Sequence, residues 1–294
     1  MALAEDSSSA AVPEAGENTY YFAIGAMMNP HSMKNRRINP ICSFPAEIFD
    51  FELRFSGVLG FADAVPSEGA SFHGVLHLVD PSTMTRLDEL ELAYKRVEAQ
   101  ARLYDNTIVT ATVYTKESFT SNQIDNPPQQ RYLELLIEGA KHFQVDEKQM
   151  EFLENHECVP RPMPSEFKSF AAAIDLPLLS YDEDVSLFNG RDTPNLRLAI
   201  NGKVLEIFVK NVESSNLFKN GLNIYKQFGQ RVELVLSRIM YDPKYGCPLS
   251  VEDCTREHSA YIEHILHSIS EVNESIQFWN VIGRIQQDYK DSEN

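Results

Sequence analysis

Residues 19–25 read Thr-Tyr-Tyr-Phe-Ala-Ile-Gly, an aromatic and aliphatic run that ends in a glycine. This composition is typical of a buried β-strand that leads into a turn. Further along the chain, a second strand is predicted at residues 47–55, because four large apolar side chains alternate there with polar ones. These are Phe49, Phe51, Leu53 and Phe55. A third strand is predicted at residues 72–79, so the N-terminal part of the chain is expected to build a β-sheet.

The pattern changes to that of a helix after Asp80. Aspartate is a good N-cap residue, and the proline that follows it suits the first helical turn. A helix with one apolar face is therefore predicted over residues 82–93. Two alternating strands at residues 96–101 and 107–114 then flank a short polar turn, which predicts a β-hairpin.

The chain is predicted to divide into three parts. Residues 1–18 hold little that could be buried, so this segment is expected to be disordered. Two more helices are predicted, one after Pro128 and one at residues 146–155, before a cluster of three prolines breaks regular structure. The predicted parts are the disordered segment 1–18, a domain at 19–165, and a C-terminal domain or extension of unknown function at 166–294.

The C-terminal region is expected to be mainly helical after an opening β-hairpin. Asn201-Gly202 lies between two β-prone runs and favours a type I′ turn, since both residues tolerate positive φ. Helices are predicted at residues 214–228, 231–240 and 250–270, with a last one that ends at Tyr289. The sequence leaves three roles open for this region: it could cover a site on the first domain, form a homo-oligomer, or stabilise the first domain.

Composition excludes several classes of partner. The chain has 294 residues, of which 43 are acidic and 26 basic, for a net charge of −17. A surface this negative repels phosphate, which argues against nucleic acids and anionic membranes as partners. No apolar run approaches the ~20 residues that a membrane span needs. With no secretory signal in the sequence and no CxxC pair among its four cysteines, a cytoplasmic protein with reduced thiols is expected.

No cofactor is expected from the motifs. The glycine-rich signatures of nucleotide sites and the familiar metalloprotease and serine-hydrolase signatures are missing from the sequence. His258, His264 and His267 fall on one predicted helix, yet no nearby set of carboxylates and cysteines completes a metal site. The sequence therefore predicts neither a metal nor an organic cofactor.

Four segments, in order along the chain, are similar to the motifs of one known family. Residues 21–27, Tyr-Phe-Ala-Ile-Gly-Ala-Met, resemble the YFAYGSN opening of the γ-glutamylcyclotransferases. Residues 87–91, Leu-Asp-Glu-Leu-Glu, resemble the LDxxE segment of that family, and residues 94–98 resemble the strand entry that follows it. Residues 127–140 resemble the family's closing PSxxY…GA helix, so the resemblance covers about residues 19–157.

The resemblance implies an α+β fold, in which a small mixed β-barrel-like sheet carries flanking helices. It also implies a lyase of the AIG2-like type that needs no cofactor. Such an enzyme cyclises the γ-glutamyl group of γ-glutamyl amino acids or related small molecules, as in glutathione metabolism, to 5-oxoproline. Glu91 matches the family's catalytic acid/base. The implied substrate-binding residues are Tyr21, Phe22, Ala23, Ile24, Gly25, Ala26 and Tyr132.

Glu91 also has an argument of its own, and an alternative. It lies four residues after Leu87, at the edge of the predicted apolar helix face, where burial would raise its pKa and suit it to proton transfer. A structural role is also open, because Glu91 and Lys95 would form an i,i+4 ion pair on a helix. The family's Tyr-Gly-Ser-Asn turn is Ile-Gly-Ala-Met at residues 24–27, and its glycine after the glutamate is Leu92. An inactive binding module and a γ-glutamylamine cyclotransferase therefore stand as alternatives.

Overall fold

Five strands close into a barrel. The computed structural model describes residues 13–57, 60–91, 94–116, 125–171, 175–190, 192–208, 230–239, 241–248, 250–272 and 279–286. The barrel strands are β1 (Thr19–Ala23), β2 (Cys42–Ser56), β3 (Phe61–Val79), β4 (Tyr94–Leu103) and β5 (Ile108–Lys116), in the order β1-β3-β2-β4-β5. All neighbours are antiparallel except β1 and β5, which meet in parallel at Tyr21 and Thr112.

Helices flank the barrel and continue into the C-terminal region. They are α1 (Pro30–Asn35), α2 (Pro81–Leu90), α3 (Gln130–His142), α4 (Glu147–Glu154), α5 (Val232–Ile239) and α6 (Arg256–Val272). A short 3-10 helix, Ala26–Met28, links β1 to α1. The barrel with its flanking helices confirms the α+β fold that the resemblance implied. No helix in the described ranges is both long and apolar enough to cross a membrane.

The side chains of β1 alternate between two apolar clusters. Tyr20 and Phe22 join a cluster built from barrel strands, which forms the barrel interior. Tyr21 and Ala23 join a second cluster, which the outer barrel surface shares with α2, α3 and α4. The period of two in a strand therefore directs Tyr21 toward the helices and Phe22 away from them.

The C-terminal region has a sheet and core of its own. The sheet strands are β6 (Leu178–Leu179), β7 (Asn195–Ile200), β8 (Lys203–Phe208) and β9 (Asn280–Ile285), in the order β6-β9-β8-β7. The predicted hairpin is confirmed as β7 and β8, with positive φ at both turn residues, 44° at Asn201 and 72° at Gly202. Side chains of β7 and β8 pack with α5 and α6 into one apolar cluster.

Three sequence predictions of secondary structure need correction. The last predicted helix is wrong over Asn280–Ile285, which forms β9 and pairs with β8. The C-terminal region therefore has more sheet than the sequence indicated, because pairing with a distant strand outweighs local pattern. The helix predicted to residue 93 ends at Leu90, and the strand predicted at residues 72–79 is the second half of a much longer β3. The helix predicted at residues 214–228 lies outside the described residues.

Charged side chains join the barrel domain to the C-terminal region. Arg161, in the proline-rich segment, donates from Nε and Nη2 to the carboxylate of Asp242 at 3.1 and 2.9 Å. Its Nη2 also donates to Glu134 on α3 at 2.6 Å. Nearby, the His31 and Tyr241 rings stack with centroids 5.8 Å apart. The two regions thus have separate apolar cores, and they meet through these polar contacts and through Tyr241, which packs against the barrel-side core. The boundary at residue 165 stays a prediction.

Candidate active site

Glu91 lies at the point where α2 stops. The helix begins as the sequence predicted, with the Asp80 carboxylate accepting from the Thr83 N–H at 2.7 Å and proline in the first turn. Glu91 is the C-cap, with φ −99° and ψ 38°, and the chain then enters β4 at Tyr94. The predicted helical pair of Glu91 with Lys95 is therefore wrong, because Lys95 lies on a strand and is exposed.

Three tyrosines and an arginine interact electrostatically with the half-buried Glu91 side chain. Burial raises the pKa of Glu91 to about 7, and the positive charge of Arg36 opposes that rise. Burial also raises the pKa of Tyr21, Tyr94 and Tyr132, and the charge of Glu91 raises each of them further. The carboxyl group is thus poised to bind or release a proton near neutral pH, while the tyrosine hydroxyls keep their protons.

Tyr132 joins α3 to the glycine turn after β1. Its hydroxyl accepts a hydrogen bond from the Ala62 N–H at 3.2 Å. A Cβ atom placed on Gly25 would lie 2.6 Å from the same hydroxyl oxygen, closer than a carbon and an oxygen can approach. Glycine is therefore required at position 25 for the Tyr132 hydroxyl to lie against the turn. The Tyr94 hydroxyl contacts the same backbone, donating to the Ala62 carbonyl at 3.5 Å.

The turn itself is held by backbone contacts and by His77. In its 3-10 helix, the Met28 N–H donates to the Gly25 carbonyl at 2.9 Å. The N–H groups of Ala26 and Met27 lie in the first turn, so they have no acceptor within this helix. His77 Nε2 donates to the Met27 carbonyl at 3.1 Å. Burial lowers the pKa of His77 to about 4, so this ring is a neutral, fixed support at physiological pH.

Close packing of α3 fixes the same turn from the other side. A Cβ atom on Gly139 would come within 2.7 Å of the Met28 carbonyl group, so only glycine lets the helix approach the turn this closely. The Asn29 side chain donates to the Leu135 carbonyl of α3 at 3.2 Å. Because these contacts lie one to two helical turns from Tyr132, they also set the position of its hydroxyl relative to Gly25.

The structure brings some of the predicted site residues together and separates one. Glu91, Tyr21 and Tyr132 interact electrostatically, and Tyr132 contacts Gly25. Phe22 is 1% exposed in the barrel interior, so only its backbone could face a ligand. Four predicted site or turn residues pack against or within the core that α3 shares with the barrel. These are Ala23, Ile24, Ala26 and Met27.

Arg36 and His77 were not identified from the sequence. Arg36 is the C-cap of α1. This helix has six residues and is too short to show a helical periodicity in the sequence. The signal that could have found this helix is Asn29-Pro30, because Asn29 caps it by accepting from the N–H groups of His31 and Ser32 at 2.9 and 3.2 Å. For His77, the sequence shows only a histidine within a strand.

Among the described residues, no three His, Cys, Asp or Glu side chains come close enough together to hold a metal ion. The chemistry that this site offers comes from one carboxyl group of raised pKa, tyrosine hydroxyls, a guanidinium group and backbone N–H donors. Together these groups can move protons and bind an anionic or carbonyl oxygen.

Comparison with known proteins identifies the barrel. Residues 21–135 match the family model described as gamma-glutamyl cyclotransferase, AIG2-like. The matched residues contain β2 to β5 and most of β1. The match includes Gly25, Glu91 and Tyr132, and it confirms the resemblance seen in the sequence. No curated protein gives a significant match to the chain.

Solved structures similar to about half of this chain have low sequence identity to it. An uncharacterized protein from Homo sapiens is 23% identical with a TM-score of 0.43, over 49% of this chain and 90% of that one. A structure described as gamma-glutamyl cyclotransferase is 22% identical with a TM-score of 0.43, over the same shares of the two chains. YkqA from Bacillus subtilis is 20% identical with a TM-score of 0.39, over 47% of this chain and 53% of that one.

Proposed function

We propose that this protein is a cytoplasmic γ-glutamylcyclotransferase, with Glu91 as its catalytic acid/base. The substrate would be a γ-glutamyl amino acid or a related compound, and the products 5-oxoproline and the free amino acid or amine. The observation that carries the proposal is the half-buried Glu91, whose pKa of about 7 places its proton exchange at physiological pH. The family match over residues 21–135 supports the reaction class.

The reaction needs a base and an acid in turn. The α-amino nitrogen of the glutamyl group attacks its own γ-carbonyl carbon, and Glu91 accepts the proton that this nitrogen loses. When the bond from that carbon to the leaving nitrogen breaks, Glu91 returns the proton to the leaving nitrogen. A carboxyl group with a pKa of about 7 suits both steps, since neither form is strongly favoured at neutral pH. No water or other reactant is consumed.

Ring closure is helped by geometry that the substrate carries with it. The attacking and attacked atoms belong to one molecule, so the enzyme only has to hold the folded conformer. The N–H groups of Ala26 and Met27, which the 3-10 helix leaves without acceptors, are the donors that we assign to the γ-carbonyl oxygen as it gains negative charge. The Tyr132 hydroxyl, beside Gly25, would position the glutamyl group against this turn.

A binding module without activity is the second candidate, and one observation favours it. Where the family has serine and asparagine in its turn, this chain has Ala26 and Met27, and Met27 is 4% exposed in the apolar core. The turn therefore offers a ligand only backbone groups. A γ-glutamylamine cyclotransferase is the third candidate, and it differs from the first only in the leaving group.

Product formation separates these candidates. The full-length protein is incubated with γ-glutamyl-alanine, γ-glutamyl-glycine and Nε-γ-glutamyl-lysine, and 5-oxoproline is measured by mass spectrometry. We expect release from at least one substrate, and the preferred leaving group distinguishes an amino-acid from an amine cyclotransferase. If no substrate yields 5-oxoproline while calorimetry shows that they bind, the protein is a binding module.

A further inference from the structure

The carbonyl group of Met27 lies at a point of the turn where the residues that follow cannot supply a donor. In a helical turn this carbonyl would accept from the N–H group three or four residues later. Three residues later the chain has Pro30, which has no N–H group, and the His31 N–H donates to the Asn29 side chain at 2.9 Å. Met27 is buried, so its carbonyl needs a partner from within the protein. His77 Nε2 supplies the donor from β3, at 3.1 Å.

This contact fixes which nitrogen of the His77 ring carries the proton. A carbonyl oxygen can only accept a hydrogen bond, so Nε2 is the protonated nitrogen. The ring is fully buried and burial lowers its pKa to about 4, so Nδ1 carries no proton at physiological pH. The Ser43 hydroxyl lies 2.7 Å from Nδ1 and therefore donates to it. Two directed hydrogen bonds thus run from Ser43 through His77 to Met27, and we call them the hydrogen-bond chain.

The hydrogen-bond chain starts on the barrel face that supports the site. Ser43 on β2 and Tyr21 on β1 are the register partners of His77, one on each side of it. Direct partners lie on one face of a sheet, and Tyr21 packs into the core that this face shares with the helices. The rings of Tyr21 and Phe143 have their centroids 6.1 and 5.8 Å from that of His77. Ring packing and a hydrogen bond at each nitrogen therefore hold the imidazole in one orientation.

The three carbonyl groups at the start of the turn all accept hydrogen bonds. The Gly25 carbonyl accepts from the Met28 N–H at 2.9 Å, and the Ala26 carbonyl accepts from the Asn29 N–H at 3.2 Å. The Met27 carbonyl is held by the histidine side chain instead. In a helical turn the carbonyl groups point toward the C-terminal end and the N–H groups toward the opposite end. Holding these carbonyls therefore also fixes the direction of the Ala26 and Met27 N–H groups.

We propose that His77, oriented by Ser43, is a positioning residue that keeps the backbone donors of the turn aimed at the substrate γ-carbonyl oxygen, an assignment that rests on the proposed cyclotransferase function. Donors that are already aimed at developing negative charge stabilise the transition state without reorganising during the reaction. His77 acts through Met27 and leaves binding of the unreacted substrate largely unaffected. Its loss should therefore lower kcat and change KM little.

Two amide substitutions of His77 separate its two hydrogen bonds. The terminal nitrogen of glutamine reaches the place of Nε2, whereas that of asparagine reaches only as far as Nδ1. His77→Gln can therefore still donate to the Met27 carbonyl, and His77→Asn cannot. We expect His77→Asn to lower kcat for γ-glutamyl-alanine about 10²-fold, as loss of an oxyanion donor does, with KM within about threefold of wild type. His77→Gln should recover about tenfold of that loss.

Ser43 gives a milder variant in case the substitutions of buried His77 prevent folding. Ser43→Ala should lower kcat about fivefold, and Ser43→Thr, which keeps the hydroxyl, should restore most of it. His73→Asn is the matched control, because His73 lies on the same strand and its ring contacts the exposed Tyr104 hydroxyl at 3.0 Å. Its kcat should equal that of wild type. Equal losses in His77→Gln and His77→Asn, or a change in KM alone, overturn the assignment, and so does an unchanged kcat in both His77→Asn and Ser43→Ala.

Nuclear magnetic resonance tests the hydrogen-bond chain independently of catalysis. Long-range ¹H–¹⁵N spectra of the histidine rings show which nitrogen is protonated, and His77→Gln identifies the His77 signals by removing them. We expect a neutral ring protonated at Nε2 from pH 5.5 to 8.5. Protonation at Nδ1 refutes the assignment even if the enzyme is active, because Nε2 then cannot donate to Met27.

Amide exchange decides the case in which wild type forms no 5-oxoproline and the proposed function fails. The Met28 N–H closes the turn on the Gly25 carbonyl, so its exchange with deuterium reports how firmly the turn is held. Ser43→Ala should speed this exchange about tenfold and leave the β2–β3 ladder unchanged. That result supports the hydrogen-bond chain as the element that holds the turn for a bound ligand. An unchanged Met28 exchange rate overturns it.

Discussion

Replacing Glu91 with glutamine is expected to abolish activity and, at the same time, to stabilise the protein. Glutamine keeps the shape of the side chain but cannot exchange a proton. Loss of a general acid/base lowers the rate by about 10²–10⁴-fold. The stabilisation follows from burial, which raises the pKa of Glu91 from 4.5 to about 7. An ionised Glu91 therefore costs the folded state free energy that a neutral amide does not.

The size and the sign of the stability effect follow from this rise in the pKa of Glu91. At about 1.4 kcal/mol for each pH unit, a pKa raised from 4.5 to about 7 corresponds to at most ~3.5 kcal/mol. Between these pH values the folded protein binds the proton more tightly than the unfolded chain does. The free energy of unfolding of wild type therefore falls as the pH rises through this window, and the full cost is present above pH 7.

Urea denaturation at pH 5.5 and 8.5, together with 5-oxoproline formation over the same range, measures both effects. Glu91→Gln should be more stable than wild type at pH 8.5, and the difference should shrink at pH 5.5. Wild-type activity should rise with pH through about 7, because the attacking amine needs an ionised base. Glu89→Gln is the matched control, since Glu89 lies on the same helix, is 55% exposed and forms a salt bridge with Arg86. Neither its activity nor its stability should change appreciably.

Two outcomes would refute this reasoning. One is a Glu91→Gln variant that turns over substrate within a few-fold of wild type. The other is a variant that is less stable than wild type at pH 8.5, which would show that Glu91 is a structural ion-pair partner. Asp88→Asn is a poor control, because Asp88 accepts hydrogen bonds from Arg96 and from the Tyr114 hydroxyl.

The other predictions concern the support around the site. Tyr132→Phe leaves the Ala62 N–H without its acceptor, so we expect a loss of about 1–3 kcal/mol in urea denaturation, together with a lower kcat. Arg161→Met leaves the buried Asp242 carboxylate without its ion pair and should cost about 3–5 kcal/mol, whereas an effect below 1 kcal/mol would contradict a buried junction. A fragment of residues 19–165 should unfold cooperatively in calorimetry, with a lower Tm than the full chain, while aggregation on expression would place the boundary elsewhere.

The barrel was largely predictable because its strands follow the simplest pattern. Alternation at residues 47–55 correctly predicts a strand that buries Phe51 in the barrel interior and Phe55 in the core shared with the helices. A β-bulge between Phe49 and Phe51 interrupts the alternation and leaves Phe49 only half-buried. The glycine after β1 was recognisable from the family motif, but the contact that requires it, the Tyr132 hydroxyl, lies more than 100 residues away. A sequence pattern shows that a glycine is present, whereas the packing that demands it exists only after folding.

Local pattern failed where a distant partner decides the structure. Residues 280–285 were predicted to be helical, but they form an antiparallel strand that pairs with β8. Likewise, the sequence carries no glycine or proline that would mark the end of α2. The helix ends at Leu90 because Tyr94 already pairs with Lys116 in the barrel. This early end is what places Glu91 at a helix terminus beside Arg36, and it accounts for the failure to predict their proximity.

The closure of the barrel has a consequence for how the site fails under stress. Strands β2 and β3 share a long ladder that runs from the Cys42–Leu78 pair to the Ser56–Phe61 pair. In contrast, β1 and β5 meet at one bridged pair, Tyr21 and Thr112. The same β1 leads into the Gly25 turn. This seam is therefore the place where a partial opening breaks the fewest hydrogen bonds, and any such opening separates the turn from Glu91. Inactivation in mild denaturant should thus precede the main unfolding transition, and β1 amides should exchange with deuterium before those of the β2–β3 ladder.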